Sequence, residues 1–260
     1  MIDYDLINFN FNKYGFFISN EILSKNEISK LKKAFYKCLE FCGQLQKKFD
    51  IESITKNTIH HIPFFDPIFI KILEKEDFKN VIKIFFNDKK FILNSLGGQN
   101  NSGKTNYASK IHRDMRFFSH ERLFLNTIWN LDGFNDFNGP TELMVQRKYS
   151  KNMPNEKIFN DNKVKLLCPP GSIIYFDSRI WHRAGIPKNK VNERIIFTPI
   201  FSRPFIKPGF NYTKLLIENG LDNYSNYIKQ IMGFYSDVPE THEEWYDFRN
   251  RRFYLTDQDE

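Results

Sequence analysis

Six histidines are the first candidates for chemistry in this sequence: His60, His61, His112, His120, His182 and His242. An imidazole can ligate a metal or carry a proton near neutral pH, and either task needs a partner group. Two of the six have a carboxylate two residues on, in His112-Arg113-Asp114 and His242-Glu243-Glu244. That spacing alone is a weak signal, and its surroundings separate the two cases. His242 lies in an acidic stretch, Val238-Pro-Glu-Thr-His-Glu-Glu-Trp245, beyond the last strand-like run, where a solvated or capping role is expected. His112 and Asp114 lie between strand-like runs. On a strand, residues i and i+2 share a face, so an imidazole and a carboxylate would stand side by side as two corners of a metal site.

A third ligand is expected from His182, which follows Pro170-Gly-Ser-Ile-Ile-Tyr-Phe-Asp-Ser-Arg-Ile-Trp181. A strand entered from the Pro-Gly turn would end just before it and leave it at a rim. Packing of His182 beside Trp181 is the plainer reading of that residue alone. Two histidines and one carboxylate on one face leave open positions on an octahedral ion, the arrangement of non-haem Fe(II) oxygenases. His60, His61, His120 and His242 are expected not to be ligands. Arg194 heads the apolar run Arg194-Ile-Ile-Phe-Thr-Pro-Ile-Phe201, twelve residues after His182. Its guanidinium could pair through two parallel hydrogen bonds with the far carboxylate of a dicarboxylic cosubstrate. Alone, it would read as an ordinary strand charge.

These residues need a frame. The 260 residues, 41% hydrophobic and 17% aromatic, describe a folded globular chain rather than a disordered one. No run approaches a membrane span, and the N-terminus lacks a basic signal-peptide region. Cys38, Cys42 and Cys168 are odd in number and sparse, which excludes a disulfide framework and fits a reducing cytosol. The first third, about 20–90, reads as helical. Ser24-Lys-Asn-Glu27 is a capping box, followed by Ile28, Leu31, Phe35, Cys38, Leu39 and Cys42 at helical spacing. A second helix is expected over Phe78–Phe86. Between about 91 and 202, short β-rich runs alternate with turn signals: Phe91–Leu96, Leu123–Leu131, Glu142–Val145, Val164–Leu167, Ser172–Phe176 and Arg194–Phe201. Helices return at about Tyr212–Asn219 and Asp222–Gly233, and Ser236–Glu260 is polar. The expectation is one domain over 1–260, a mainly β sandwich or barrel wrapped by helices.

The set His112-x-Asp114, His182 and Arg194 resembles the signature of Fe(II)/2-oxoglutarate dioxygenases, and more narrowly of the phytanoyl-CoA dioxygenase-like family. Tyr14-Gly-Phe-Phe-Ile18, Asn138-Gly-Pro-Thr141, Gly171–His182, Met232–Tyr246 and Arg252-Phe-Tyr254 also resemble stretches of that family. The likeness runs over nearly the whole chain. It implies a double-stranded β-helix of the jelly-roll or cupin type, with Fe(II) held by His112, Asp114 and His182. It further implies 2-oxoglutarate chelating the iron and clamped by Arg194, O2 as co-oxidant, and release of succinate and CO2 as a substrate is oxidised. Trp129 and Asn94 are expected to line the cosubstrate pocket, with a core aromatic as the other reading of Trp129.

The reaction so implied is hydroxylation, or another oxidation, of a small molecule. A cupin-like metal-dependent binding protein or isomerase is a second reading. A nucleic-acid oxidative demethylase is a third, motivated by the charge of +7 and pI near 9.1, although no basic groove or base-stacking lid is identifiable. No nucleic acid or membrane partner is therefore expected. The basic balance and the group Lys104, Lys110, Arg113 and Arg116 suggest an anionic substrate.

Overall fold

The computed structural model describes residues 3–101, 107–145, 151–188 and 193–247. Along the chain, helix α1 (Tyr4–Lys13) leads to strand β1 (Phe16–Ser19), then α2 (Lys25–Lys48), α3 (Glu52–Thr55), β2 (Thr58–Ile59), α4 (Pro67–Leu73) and α5 (Glu76–Phe85). The β-rich middle holds β3 (Ile92–Asn100), β4 (Phe124–Asn130), β5 (Thr141–Met144), α6 (Glu156–Asn162), β6 (Lys163–Lys165), β7 (Ile173–Asp177), β8 (His182–Ala184) and β9 (Ile195–Ser202). Helices α7 (Tyr212–Glu218), α8 (Asn226–Ile231) and α9 (His242–Tyr246) follow.

Two antiparallel sheets face each other as a jelly-roll core. The larger has the order β1-β7-β4-β9-β3-β2 and the smaller β6-β5-β8. Strict alternation along the large sheet gives it two buried faces. Leu125, Trp129, Ile173, Tyr175, Ile195, Phe197 and Phe201 point to the helices, where Leu31, Phe35, Phe69, Phe78 and Ile82 meet them. Ile128, Ile174, Phe176 and Ile196 point the other way, to Leu143 and Leu166 of the small sheet's layer. The helices therefore form a third layer. Phe78 is its keystone: its ring lies 5.6 Å from Trp129, 5.8 Å from Tyr175 and 5.8 Å from Phe201. Truncating such a side chain costs about 3–5 kcal/mol.

The capping box forms: Ser24 Oγ accepts from Glu27 N, and the Glu27 carboxylate accepts from Ser24 N. Lys75 at the head of α5 reaches the same carboxylate at 3.0 Å, tying α2 to α5. Cys38 and Cys42 are buried on the inner face of α2, and burial pushes the Cys38 thiol up to about 12. All three cysteines are free thiols. The expected helix over Asp222–Gly233 is broken in two, a short 3-10 turn at Leu221–Asn223 and then α8, because Ser225 takes an extended backbone and caps the second piece. His242 opens α9, whose cap is Thr241. Arg252-Phe-Tyr254, Lys104 and the rest of the polar tail beyond 247 lie outside the described residues.

Candidate metal centre

His182 opens β8, the edge strand of the small sheet. His112 bridges it: each residue's backbone N–H donates to the other's carbonyl, at 2.9 and 2.8 Å. The pairing sets the two rings 4.3 Å apart. Each ring also uses Nδ1 locally, His112 on the Lys110 carbonyl at 2.7 Å and His182 on the Ile180 carbonyl at 3.0 Å. A carbonyl only accepts, so both Nδ1 atoms carry a proton, which in the neutral ring leaves Nε2 as the ligating atom. Burial pushes the His182 pKa down to about 4. Asp114 opposes that fall, His112 adds to it, and the ring is neutral at pH 7 as a ligand must be.

Asp114 completes the group. Its carboxylate oxygens lie 3.8 Å from His112 Nε2 and 3.6 Å from His182 Nε2. Among the described residues, the ligating atoms of His112, Asp114 and His182 all fall within 4.8 Å of one another. Two imidazoles and one carboxylate around a shared point would suit a divalent iron.

The turn from β7 to β8 positions both halves of this site. Asp177 and Arg179 form a buried ion pair, with Arg179 Nε on Asp177 Oδ1 at 2.9 Å and Nη2 on Oδ2 at 2.6 Å. Within that turn Ser178 donates its hydroxyl to Asn126 Oδ1 at 2.8 Å, and Asn126 donates its amide to Asp114 Oδ2. Sequence reasoning missed Asn126, Ser178 and the Asp177–Arg179 pair. Only the Asp-x-Arg spacing hinted at the pair, and nothing in a sequence pairs Asn126 with a residue twelve positions upstream.

Arg194 precedes β9 and shares the inward face of Ile196, Thr198 and Ile200. It is 3% exposed. Nη1 donates to the carbonyls of Asn138 at 2.9 Å and Gly185 at 3.2 Å, and the ring of Phe134 lies 5.9 Å from the guanidinium carbon. Its Nε has no hydrogen-bond partner among the described residues. Burial lowers the guanidinium to about 10, which leaves it charged at pH 7. The Asn138-Gly139 turn seats it: Gly139 has φ +71, and a Cβ there would come within 2.8 Å of Arg194 Nη1.

Residues 11–190 match the model of the family described as phytanoyl-CoA dioxygenase (PhyH). The chain belongs to the phytanoyl-CoA dioxygenase family. Among curated relatives, the uncharacterized proteins Mb1539 of Mycobacterium bovis and Rv1501 of Mycobacterium tuberculosis are each 26% identical over 153 residues. That match covers 58% of this chain and 56% of each relative, so the chain spans just over half the length of the relatives it matches. Among solved structures, EctD from S. alaskensis with bound Fe is similar at a TM-score of 0.63 and 16% identity, covering 80% of each chain. EctD with 2-oxoglutarate and 5-hydroxyectoine gives 0.62 and 17%, covering 78% of this chain and 77% of that one. AviO1 from Streptomyces viridochromogenes Tue57 gives 0.58 and 17%, covering 80% of this chain and 98% of that one. At such identities the likeness is one of fold.

In this member of the phytanoyl-CoA dioxygenase family, a cavity of about 240 Å³ opens on the triad, and His112, Asp114, His182 and Asn126 line it. Ile128, Phe176, Ile196 and Ile200 supply apolar walls, and Thr141 and Thr198 hydroxyl-bearing ones. Two expected lining residues are elsewhere. Trp129 is fully buried among Phe78 and Phe197, because its odd position on β4 turns it to the helices while Asn126 and Ile128 face the cavity. Asn94 sits at a β-bulge between Leu93 and Ser95 and donates to Ser202 Oγ at 3.3 Å; the lining of β3 begins only at Ser95. His60 and His61 stay outside the triad but line the cavity, a placement sequence reasoning did not anticipate. Lys110, Arg113 and Arg116 are not among the lining residues, and Arg113 stacks over Trp181 at 4.9 Å.

Proposed function

We propose that the protein is an Fe(II)- and 2-oxoglutarate-dependent dioxygenase that hydroxylates a small molecule. The observation that carries this reading is Arg194: a buried guanidinium just before the strand whose Ile196, Thr198 and Ile200 line the cavity, itself not among the lining residues, whose described hydrogen bonds all go to backbone carbonyls and none to a carboxylate. A buried charge so placed is costly unless an anion meets it, and a dicarboxylate entering the cavity would supply one.

His112, Asp114 and His182 would hold the iron, which when bound supplies the activation of O2. The overall change consumes 2-oxoglutarate, O2 and a substrate C–H, and yields succinate, CO2 and a C–OH. The chain's own residues bind and orient. Arg194 fixes the C5 carboxylate, directing the 2-oxo acid end of the cosubstrate towards the triad. The Asn126 amide, held by Ser178, restrains Asp114 to one orientation. Ile128, Phe176, Ile196 and Ile200 keep bulk water from the reacting centre. Among the described residues no helix is long and apolar enough to cross a membrane, and three free buried thiols suit a reducing, cytosolic setting.

The test is substrate-independent turnover. Protein supplied with Fe(II), 2-oxoglutarate and O2 should form succinate, measured by mass spectrometry, and His112→Ala or Asp114→Ala should abolish it. Tight metal binding without succinate would reject the reading in favour of a metal-binding barrel that does not oxidise.

A further inference from the structure

The cavity that holds the triad is also lined by residues of β3 and of β2 and the two positions after it, a wall that neither the metal nor the cosubstrate clamp uses. It consists of Ile59, His60, His61, Ser95, Gly97 and Gln99. We propose that His60 and His61 are the substrate-binding residues of this enzyme, and that they receive an uncharged, hydroxyl-bearing substrate. The proposal rests on the dioxygenase reading and adds the substrate class to it.

The two rings have fixed and opposite hydrogen-bonding roles. Tyr212 has one hydroxyl proton, and burial raises its pKa, so the proton stays. Tyr212 Oη accepts from the Leu96 N–H at 3.2 Å and lies 2.7 Å from His61 Nδ1, and we assign its proton to that nitrogen. His61 Nδ1 therefore accepts, and Nε2 carries the ring proton as a donor. For His60 the logic reverses. The Thr58 hydroxyl spends its proton on the Thr55 carbonyl, so it can only accept from His60 Nε2, 3.2 Å away. His60 Nδ1 is then a bare acceptor, placed against Gly97: a Cβ on that glycine would lie 3.5 Å from it. The wall thus offers one donor and one acceptor. A hydroxyl group, which both gives and takes a hydrogen bond, matches either.

His61 is also held firmly in place. Its φ is +54, its ring stacks on Phe210 at 4.8 Å with a 16° interplanar angle, and Tyr212 fixes its Nδ1. Backbone strain of this sort persists only where surrounding contacts over-determine it, and it gathers at ligand-binding positions. Charge points the same way. Among the described residues lining the cavity, Asp114 bears the only permanent formal charge, and desolvation lowers the pKa of both His60 and His61. The wall thus has no described Lys or Arg to meet a phosphate or a second carboxylate, whose desolvation would go uncompensated.

The experiment uses Mn(II) in place of iron on the full chain with 2-oxoglutarate, and two probes that share their hydroxyls: methyl α-glucopyranoside, which is uncharged, and glucose 6-phosphate. Mn(II) binding is read by electron paramagnetic resonance, and probe binding by the paramagnetic relaxation of the probe's protons. The expected result is relaxation of the glucoside and at least about 10-fold weaker binding of the phosphate. His61→Phe, which keeps the ring stack and removes the donor, should weaken glucoside binding about 10-fold, the effect of one lost hydrogen bond in a site built for it. Tyr212→Phe, which releases the tautomer while leaving the imidazole, should weaken it by less. Mn(II) and 2-oxoglutarate binding with no relaxed probe, stronger relaxation of the phosphate, or unchanged glucoside binding in His61→Phe would each overturn the proposal while leaving the dioxygenase reading intact. Absent Mn(II) binding would remove that reading, and the substrate wall with it.

Discussion

Asn126 donates its side-chain amide to Asp114 Oδ2, and its own carbonyl oxygen is held by the Ser178 hydroxyl at 2.8 Å. The first residue lies on β4, the second on the segment bridging to β8, and the third on the β7–β8 turn. Three separate parts of the chain thus converge on one carboxylate. The bond fixes the orientation in which the carboxylate faces the two imidazoles.

Removing that bond should loosen the only anionic ligand. Asn126→Ala is expected to weaken Mn(II) binding about 10-fold or more, within the range typical of partners that orient a metal ligand. Ser178→Ala should produce a smaller loss, because Asn126 keeps its amide contact. Titration followed by electron paramagnetic resonance measures both. Wild-type affinity in Asn126→Ala would mean that Asp114 is held by its backbone alone.

Asp114→Ala and Arg194→Ala should fail in different ways. The first takes away a ligand, so metal affinity itself should collapse. The second leaves the triad intact, so the metal should bind while the 2-oxoglutarate KM rises roughly 30- to 1,000-fold, as for loss of a charge-assisted bidentate pair. Arg194→Lys should recover only part of this, since an ammonium lacks the planar fork. A normal KM in Arg194→Ala would make Arg194 a structural residue tied to the carbonyls of Asn138 and Gly185.

Gly139→Ala tests the seat of that arginine without touching it. The added methyl would meet the Gly185 carbonyl at 2.5 Å and Arg194 Nη1 at 2.8 Å, on a backbone with φ +71. The expected outcome is a destabilisation of about 1–3 kcal/mol by urea unfolding and a raised 2-oxoglutarate KM, with metal affinity kept. Destabilisation with an unchanged KM would separate the turn from the clamp.

The parts legible in the sequence were those set by local rules. The Ser24–Glu27 box, the apolar stripe through Cys38 and six strand runs each announce themselves within a few residues, and all appear. His112, Asp114 and His182 were legible because a motif and a turn bracket them. Trp129 and Asn94 were misplaced for a different reason. Which face a strand residue takes depends on register, and a register slip of one reverses it. The bulge at Leu93/Ser95 does that within β3, and no composition signal marks it. His60 and His61 come to the cavity because β2, only two residues long, pairs Thr58 with Gln99 and Ile59 with Gly98. So short a strand leaves no periodic trace, and its partner lies some forty residues away.

Glu142 offers a test of how the small sheet is held. It is buried on β5 between Lys163 of β6, at 2.8 Å, and Arg183 of β8, at 2.8 Å, so one carboxylate joins all three strands next to His182. Burial would raise its pKa, but the hydrogen bonds from Lys163 and Arg183 outweigh burial and hold it below the ordinary 4.5. A carboxyl with a depressed folded-state pKa adds stability that is fully present above its unfolded value. That contribution falls away as pH drops through the folded-state value. Glu142→Gln should therefore lower unfolding stability by about 1–3 kcal/mol at pH 7, because two cations lose their charged acceptor. The gap between variant and wild type should narrow as pH falls below 4.5, where the wild-type carboxyl itself takes up a proton. Urea unfolding at a series of pH values measures the gap. A gap that stayed constant into acid would show that Glu142 acts through shape and packing rather than through its charge.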